Sequence, residues 1–199
     1  MQKIMFNNKY RLTQAVLDGS KTNTRRIAYI GDIKNASVGF ITDGKERGTC
    51  VLCDGSSIVA RSAYKIGEEV AIAQSYKDCL SDSWIKYIHK VDPNVSYDRD
   101  LIFCPGNENK MFVRADLMPH RIRITNIRIE RLQDISEEDC LKEGIVCKNG
   151  RYRVETYKGV TFYTTDARQA FAYLIDKVSG KGTWDSNPYV FVYEFELIK

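Results

Sequence analysis

The sequence predicts an α+β fold, a small mixed β-barrel flanked by short helices, and three observations predict it. Residues 120–132 (HRIRITNIRIERL) and 189–198 alternate apolar and polar side chains, the period of a strand with one buried face. The alternation at 120–132 changes parity between Ile124 and Ile127, which predicts a bulge or sharp bend near Thr125-Asn126. A strand bent in this way is what a small closed barrel needs. Three stretches, 8–18, 136–144 and 165–180, each open at a capping residue and close on glycine, the signature of short helices.

A chain of 199 residues suffices for one well-buried domain and is short for two. No repeat, low-complexity tract or linker divides it, so a single domain over 1–199 is expected. The net charge of +4 permits phosphate-bearing ligands without requiring them. No apolar run approaches the length of a membrane span, and the N-terminal stretch MQKIMFNNKYRLTQ lacks a signal-peptide pattern. These features imply a cytoplasmic protein with no membrane partner, whose six cysteines are thiols. Cys50-Val-Leu-Cys53 has zinc-knuckle spacing, but no second pair follows, and Asp54-Gly55 explains the local sequence as a hairpin turn. No metal and no cofactor is expected.

The elements follow in order. Residues 8–18 read as a helix capped by Asn7 or Asn8, with Leu12, Ala15, Val16 and Leu17 as its apolar stripe and Gly19 just past its end. Residues 31–48 read as a surface excursion, and Thr49 to Ala60 as a hairpin around Asp54-Gly55-Ser56. Glu69 to Ser75 is short and apolar, as a buried strand is. Tyr76 to Pro119 is the least periodic part and reads as an insertion, either a lid or padding. Ser136 caps a short acidic helix that places Glu143 in its last turn, where a carboxylate calls for a cation. Arg151 to Thr164 reads as a hairpin turning at Lys158-Gly159. A helix then starts at Thr165 or Asp166, with Phe171, Leu174, Ile175 and Val178 as its stripe.

The stretch Gly19-Ser20-Lys21-Thr22-Asn23-Thr24-Arg25-Arg26 concentrates hydroxyls and cations between a helix and a strand. Such a turn suits an anionic or carbonyl-bearing ligand. The pattern Leu17-x-Gly19-x-Lys21-Thr22-x-Thr24-x-Arg26 resembles the signature of the ASCH domain family, whose fold is PUA-like. Tyr64 to Ile72, Ser136 to Gly144 and Tyr189 to Ile198 resemble the family's later blocks, in the same order.

The resemblance implies the PUA-like barrel with an inserted segment at 76–119. For the bacterial branch it implies hydrolysis of the amide of N4-acetylcytidine. Carried onto this sequence, the catalytic residues are Lys21 as base, Thr24 as nucleophile and Glu143 as the acid serving the leaving group or orienting water. Arg25, Arg26 and Tyr76 are candidates for ligand binding. An alternative from the same resemblance is an RNA-binding or RNA-cleaving module, with Lys21, Arg25 and Arg26 on phosphate and Tyr76 or Trp84 stacked on a base. Either way the partner is a nucleoside or RNA, with no DNA specificity.

Overall fold

The computed structural model of the protein describes residues 1–29, 38–41, 49–52 and 58–198. In chain order the elements are β1 (Gln2–Ile4), α1 (Leu12–Leu17), β2 (Asn23–Ile27), β3 (Val38–Ile41), β4 (Thr49–Leu52), β5 (Ile58–Arg61), β6 (Glu69–Ile72), α2 (Tyr76–Cys79) and α3 (Asp82–Val91). There follow β7 (Arg121–Arg131), α4 (Glu137–Lys142), β8 (Val146–Lys148), β9 (Arg151–Thr156), β10 (Gly159–Thr164), α5 (Ala167–Ser179), α6 (Thr183–Ser186) and β11 (Tyr189–Ile198). The fold is α+β, as expected. The strands form mixed sheets, and no closed barrel is found among the described residues. Two compact units arise from interleaved segments: Met1–Phe6, Glu69–Arg123 and Leu197–Lys199 in the first, Asn7–Glu68 and Ile124–Glu196 in the second.

In the first unit β1 pairs parallel to β6, Gln2 opposite Val70, and β6 pairs antiparallel to the start of β7, Val70 opposite Ile122. Val70, Ala71 and Ile72 are buried, which fits the continuous apolar run of that strand. The segment read as aperiodic is a packed assembly. Ser81 accepts from Trp84 N and starts α3, whose Trp84 and Ile88 sit four residues apart on one face. They pack with Tyr76, Tyr97, Leu101, Val113, Leu117 and Met118 around Ala71 and Ala73. Trp84 stacks on Tyr76 and donates its Nε1–H to the Leu117 carbonyl at 2.7 Å, so the indole is both buried and satisfied. Core rather than loop is therefore what residues 76–119 build.

In the second unit β2 pairs antiparallel to β11, Thr24 opposite Tyr193. β8, β9 and β10 form a three-stranded antiparallel sheet, and β3, β4 and β5 another. The hairpin turn at Asp54-Gly55-Ser56, Cys53 and most of the excursion at 31–48 lie outside the described residues. In β7 the buried set passes from Ile122 and Ile124 to Ile127, the expected change of parity. Asn126 Oδ1 accepts from the Ile127 amide at 2.9 Å at that step.

The helices differ from expectation in detail. α1 starts later, with Arg11 at its cap in the left-handed region. The Asn7 and Asn8 carbonyls, not their side chains, accept from Leu12 N and Arg11 N. α5 takes its cap from Asp166, which accepts from Arg168 N and Gln169 N. Its buried face is Ala167, Ala170, Phe171 and Leu174, while Val178 is exposed. Two small alanines in its first half, not Ile175 and Val178, complete that face, and mid-helix Tyr173 stacks on Phe162 of β10.

Candidate active site

The turn from Ser20 to Thr22 is fixed by backbone before any side chain acts. Lys21 N donates to the Ala15 carbonyl of α1, Thr22 N to the Lys142 carbonyl at the end of α4, and Phe195 N of β11 to the Thr22 carbonyl. These three bonds bring α1, α4 and β11 to one point, with Lys21 at the mouth of β2. α4 begins at Ser136, whose side chain accepts from Asp139 N at 3.1 Å, and ends at Glu143.

Lys21 and Glu143, 122 residues apart in sequence, form a buried ion pair with Nζ 2.6 Å from Oε2. The same Nζ donates to the Asn23 carbonyl at 2.6 Å and to the Glu143 carbonyl at 2.9 Å. Three acceptors match the three N–H bonds of an ammonium, so the resting group is charged. Burial pushes the Lys21 proton affinity below that of a free lysine. Glu143 opposes that change, while Arg26 and Arg25 add to it.

β2 alternates its side chains, and that alternation sorts the cluster. Asn23 and Arg25 turn to α4. Asn23 donates to Asp139 at 3.2 Å, and Arg25 reaches Glu143 at 3.0 Å, Glu130 at 2.6 and 3.0 Å, and Asp139 at 2.7 Å. Burial alone would lower the Arg25 proton affinity, but Glu143, Asp139 and Glu130 outweigh it and hold the guanidinium charged. Arg128 extends the network to Glu130, Asp139 and Glu194. Burial would favour protonated Asp139, yet its bonds to Arg25 and the charge of Arg128 hold its pKa below the usual value.

Thr24 and Arg26 take the opposite face of β2. Thr24 is buried and lies opposite Tyr193, whose hydroxyl accepts from Ala63 N at 2.8 Å. Burial raises the Tyr193 phenol to about 12, and that of Tyr64 in the same direction, so both stay neutral near pH 7. Arg26 is close enough to act against both shifts. A cleft of about 320 Å³ lies beside the turn, lined by Gln14, Ala15, Ser20, Gly144, Ile145 and Cys147 among others. Ser20 and Gly144 are the chain neighbours of Lys21 and Glu143.

Of the residues singled out in the sequence, then, Lys21, Arg25 and Glu143 come together, with Thr24 and Arg26 on the same short strand. Two differ from their expected use. Arg25 spends its donors on three carboxylates, which leaves it a structural cation instead of a ligand contact. Tyr76 is in the core of the first unit, its ring against Trp84 and its hydroxyl accepting from Arg114 N at 2.8 Å, so it offers no free stacking face. Sequence reasoning missed Asn23, Glu130, Asp139 and Arg128. Arg128 and Glu130 two apart on one strand were the available signal; Asp139 gave none beyond being one acid of a short acidic helix.

Among the described residues no group of three or more histidine, cysteine or acidic side chains is arranged to hold a metal ion, and no helix is long and apolar enough to cross a membrane. No family model matches this chain, and neither a curated protein nor a solved structure matches it.

Proposed function

We propose that this chain is a hydrolase of the ASCH type on a PUA-like scaffold, cleaving the amide of an N-acylated nucleoside such as N4-acetylcytidine. The observation that carries the reading is the buried Lys21–Glu143 pair. Two residues chosen from separate motifs, far apart in the chain, meet at 2.6 Å with both side chains buried.

In this mechanism Thr24 Oγ attacks the acyl carbonyl from its own face of β2 and passes its proton through a water to Lys21, which must first be a neutral amine. Burial together with the nearby arginines makes that amine accessible below the ordinary lysine range. Glu143, anchored by Arg25, holds Lys21 in place and relays the proton that Lys21 took from Thr24 to the leaving amine. Arg26, on the Thr24 face, stabilises the oxyanion. The C–N bond breaks to release cytidine, and water then hydrolyses the threonyl ester to give acetate. The alternative RNA-binding reading is weaker, because Arg25 is buried and already gives four hydrogen bonds to carboxylates.

The test is release of cytidine from N4-acetylcytidine by wild type and by Thr24→Val, which removes the hydroxyl at nearly constant volume. Turnover in wild type and its loss by at least about a hundredfold in the variant, with an unchanged melting temperature, supports the reading. A folded wild type with no turnover sinks it.

A further inference from the structure

Among the described residues two side-chain atoms are buried with no hydrogen-bond partner, Gln74 Oε1 and Ser75 Oγ. They are consecutive, directly after β6 in the first unit, and are 7% and 3% exposed. Ser75 occupies the cap position of α2, yet its hydroxyl takes no cap hydrogen bond, so the usual reason for a serine there does not apply. Folded proteins leave few such atoms, and each calls for a reason.

Gln74 also lines a cleft of about 490 Å³ in the same unit, with Asp78, Trp84, Tyr87, Pro119 and His120 among its walls. That volume is in the range of small-molecule sites. The aromatic walls are held in place: Trp84 by its bond to the Leu117 carbonyl, Tyr87 by a 2.9 Å bond from its hydroxyl to the Asp116 carbonyl and a 2.9 Å bond accepted from Arg121. The lining contains no lysine or arginine, and its one carboxylate is Asp78. Burial holds the His120 pKa below its usual value, so this imidazole is neutral at pH 7. Phosphate is therefore disfavoured, and an uncharged ligand with an N–H donor suits the orphaned oxygen.

We propose that this cleft binds an uncharged, amino-bearing nucleobase, with Gln74 Oε1 accepting from the exocyclic amino group. The amide NH₂ of Gln74 then donates to the adjacent ring nitrogen, the two-point pairing that glutamine makes with such an edge. The site lies wholly within the first unit and does not depend on the Lys21–Glu143 pair.

The experiment titrates the full chain carrying Trp184→Phe, so that emission reports on Trp84, with adenine, cytosine, 1,3-dimethyluracil and AMP. Saturable binding of adenine or cytosine, roughly tenfold tighter than 1,3-dimethyluracil, is expected, because that ring carries no N–H for the Gln74 oxygen. AMP binds more weakly than adenine, since its phosphate meets Asp78. Gln74→Met keeps the side-chain length and removes the orphan, so its melting temperature is equal to or above wild type while the preference for amino-bearing bases disappears. Absence of saturable binding, equal binding of 1,3-dimethyluracil, AMP tighter than adenine, a preference that survives Gln74→Met, or a lowered melting temperature in that variant each overturns the proposal.

Discussion

Arg25 Nη2 stands 2.7 Å from Asp139 Oδ2, and around this contact the second unit assembles its buried charges. Glu130 and Glu143 approach the same guanidinium at 2.6 and 3.0 Å. Three carboxylates so close would repel one another without it.

Removing that cation is therefore costly. Arg25→Met is expected to destabilise the fold by about 3–5 kcal/mol, the scale for leaving buried charges unpaired. Arg25→Lys recovers only part of the loss, because a single ammonium nitrogen lacks the spread, planar donors with which the guanidinium reaches three separate carboxylates. Urea unfolding of the three proteins measures this; a loss under about 1 kcal/mol for Arg25→Met means the network does not hold the fold.

Acid should weaken the protein through Asp139. Its folded pKa is depressed from the ordinary 3.8, so its contribution is full above that value and is lost as pH falls through the lower folded one. Unfolding free energy measured from pH 5 to 2 is expected to fall, and Asp139→Asn to fall less steeply. Identical slopes in the two proteins would refute the assignment.

Turnover, under the proposed mechanism, should rise with pH and level off below the ordinary lysine value of 10.5, because burial lowers Lys21. Glu143 acts in the opposite sense. Glu143→Gln is thus expected to move the plateau to lower pH, with a reduced maximal rate. An inflection that stays where it was removes Lys21 as the titrating group.

Gly144 allows the close approach of α4 to α1. Its φ is +100°, and a Cβ there would lie 3.0 Å from Leu12 Cδ2 and 3.7 Å from Lys21 Cδ. Gly144→Ala is expected to cost about 1–3 kcal/mol through backbone strain and crowding. It should also lower any Lys21-dependent turnover more than a substitution at exposed Gly150 does. Thermal melts and rates on both variants decide it.

The elements legible in the sequence were those governed by local rules. β7 and β11 showed their alternation, Ser136 its cap, Gly19 and Gly144 their helix ends, each set by contacts within a few residues. α3 was equally local, with Trp84 and Ile88 four apart behind Ser81. It was overlooked because proline and polar residues around it dominated the segment. β1 escaped because three residues carry no period, and only its parallel register with β6 makes it a strand.

By itself, then, the sequence determined the α+β class, the strand and helix starts, and the pairing of interest between a lysine turn and an acidic helix. Burial, strand parity and three backbone bonds at Ser20–Thr22 decided the rest. They placed Lys21 on Glu143, committed Arg25 to three carboxylates, turned Thr24 to the other face and closed Tyr76 inside a core. The physical reason is range: caps and periodicity act within a turn or a strand, whereas a charge finds its partner only when the fold excludes water from both.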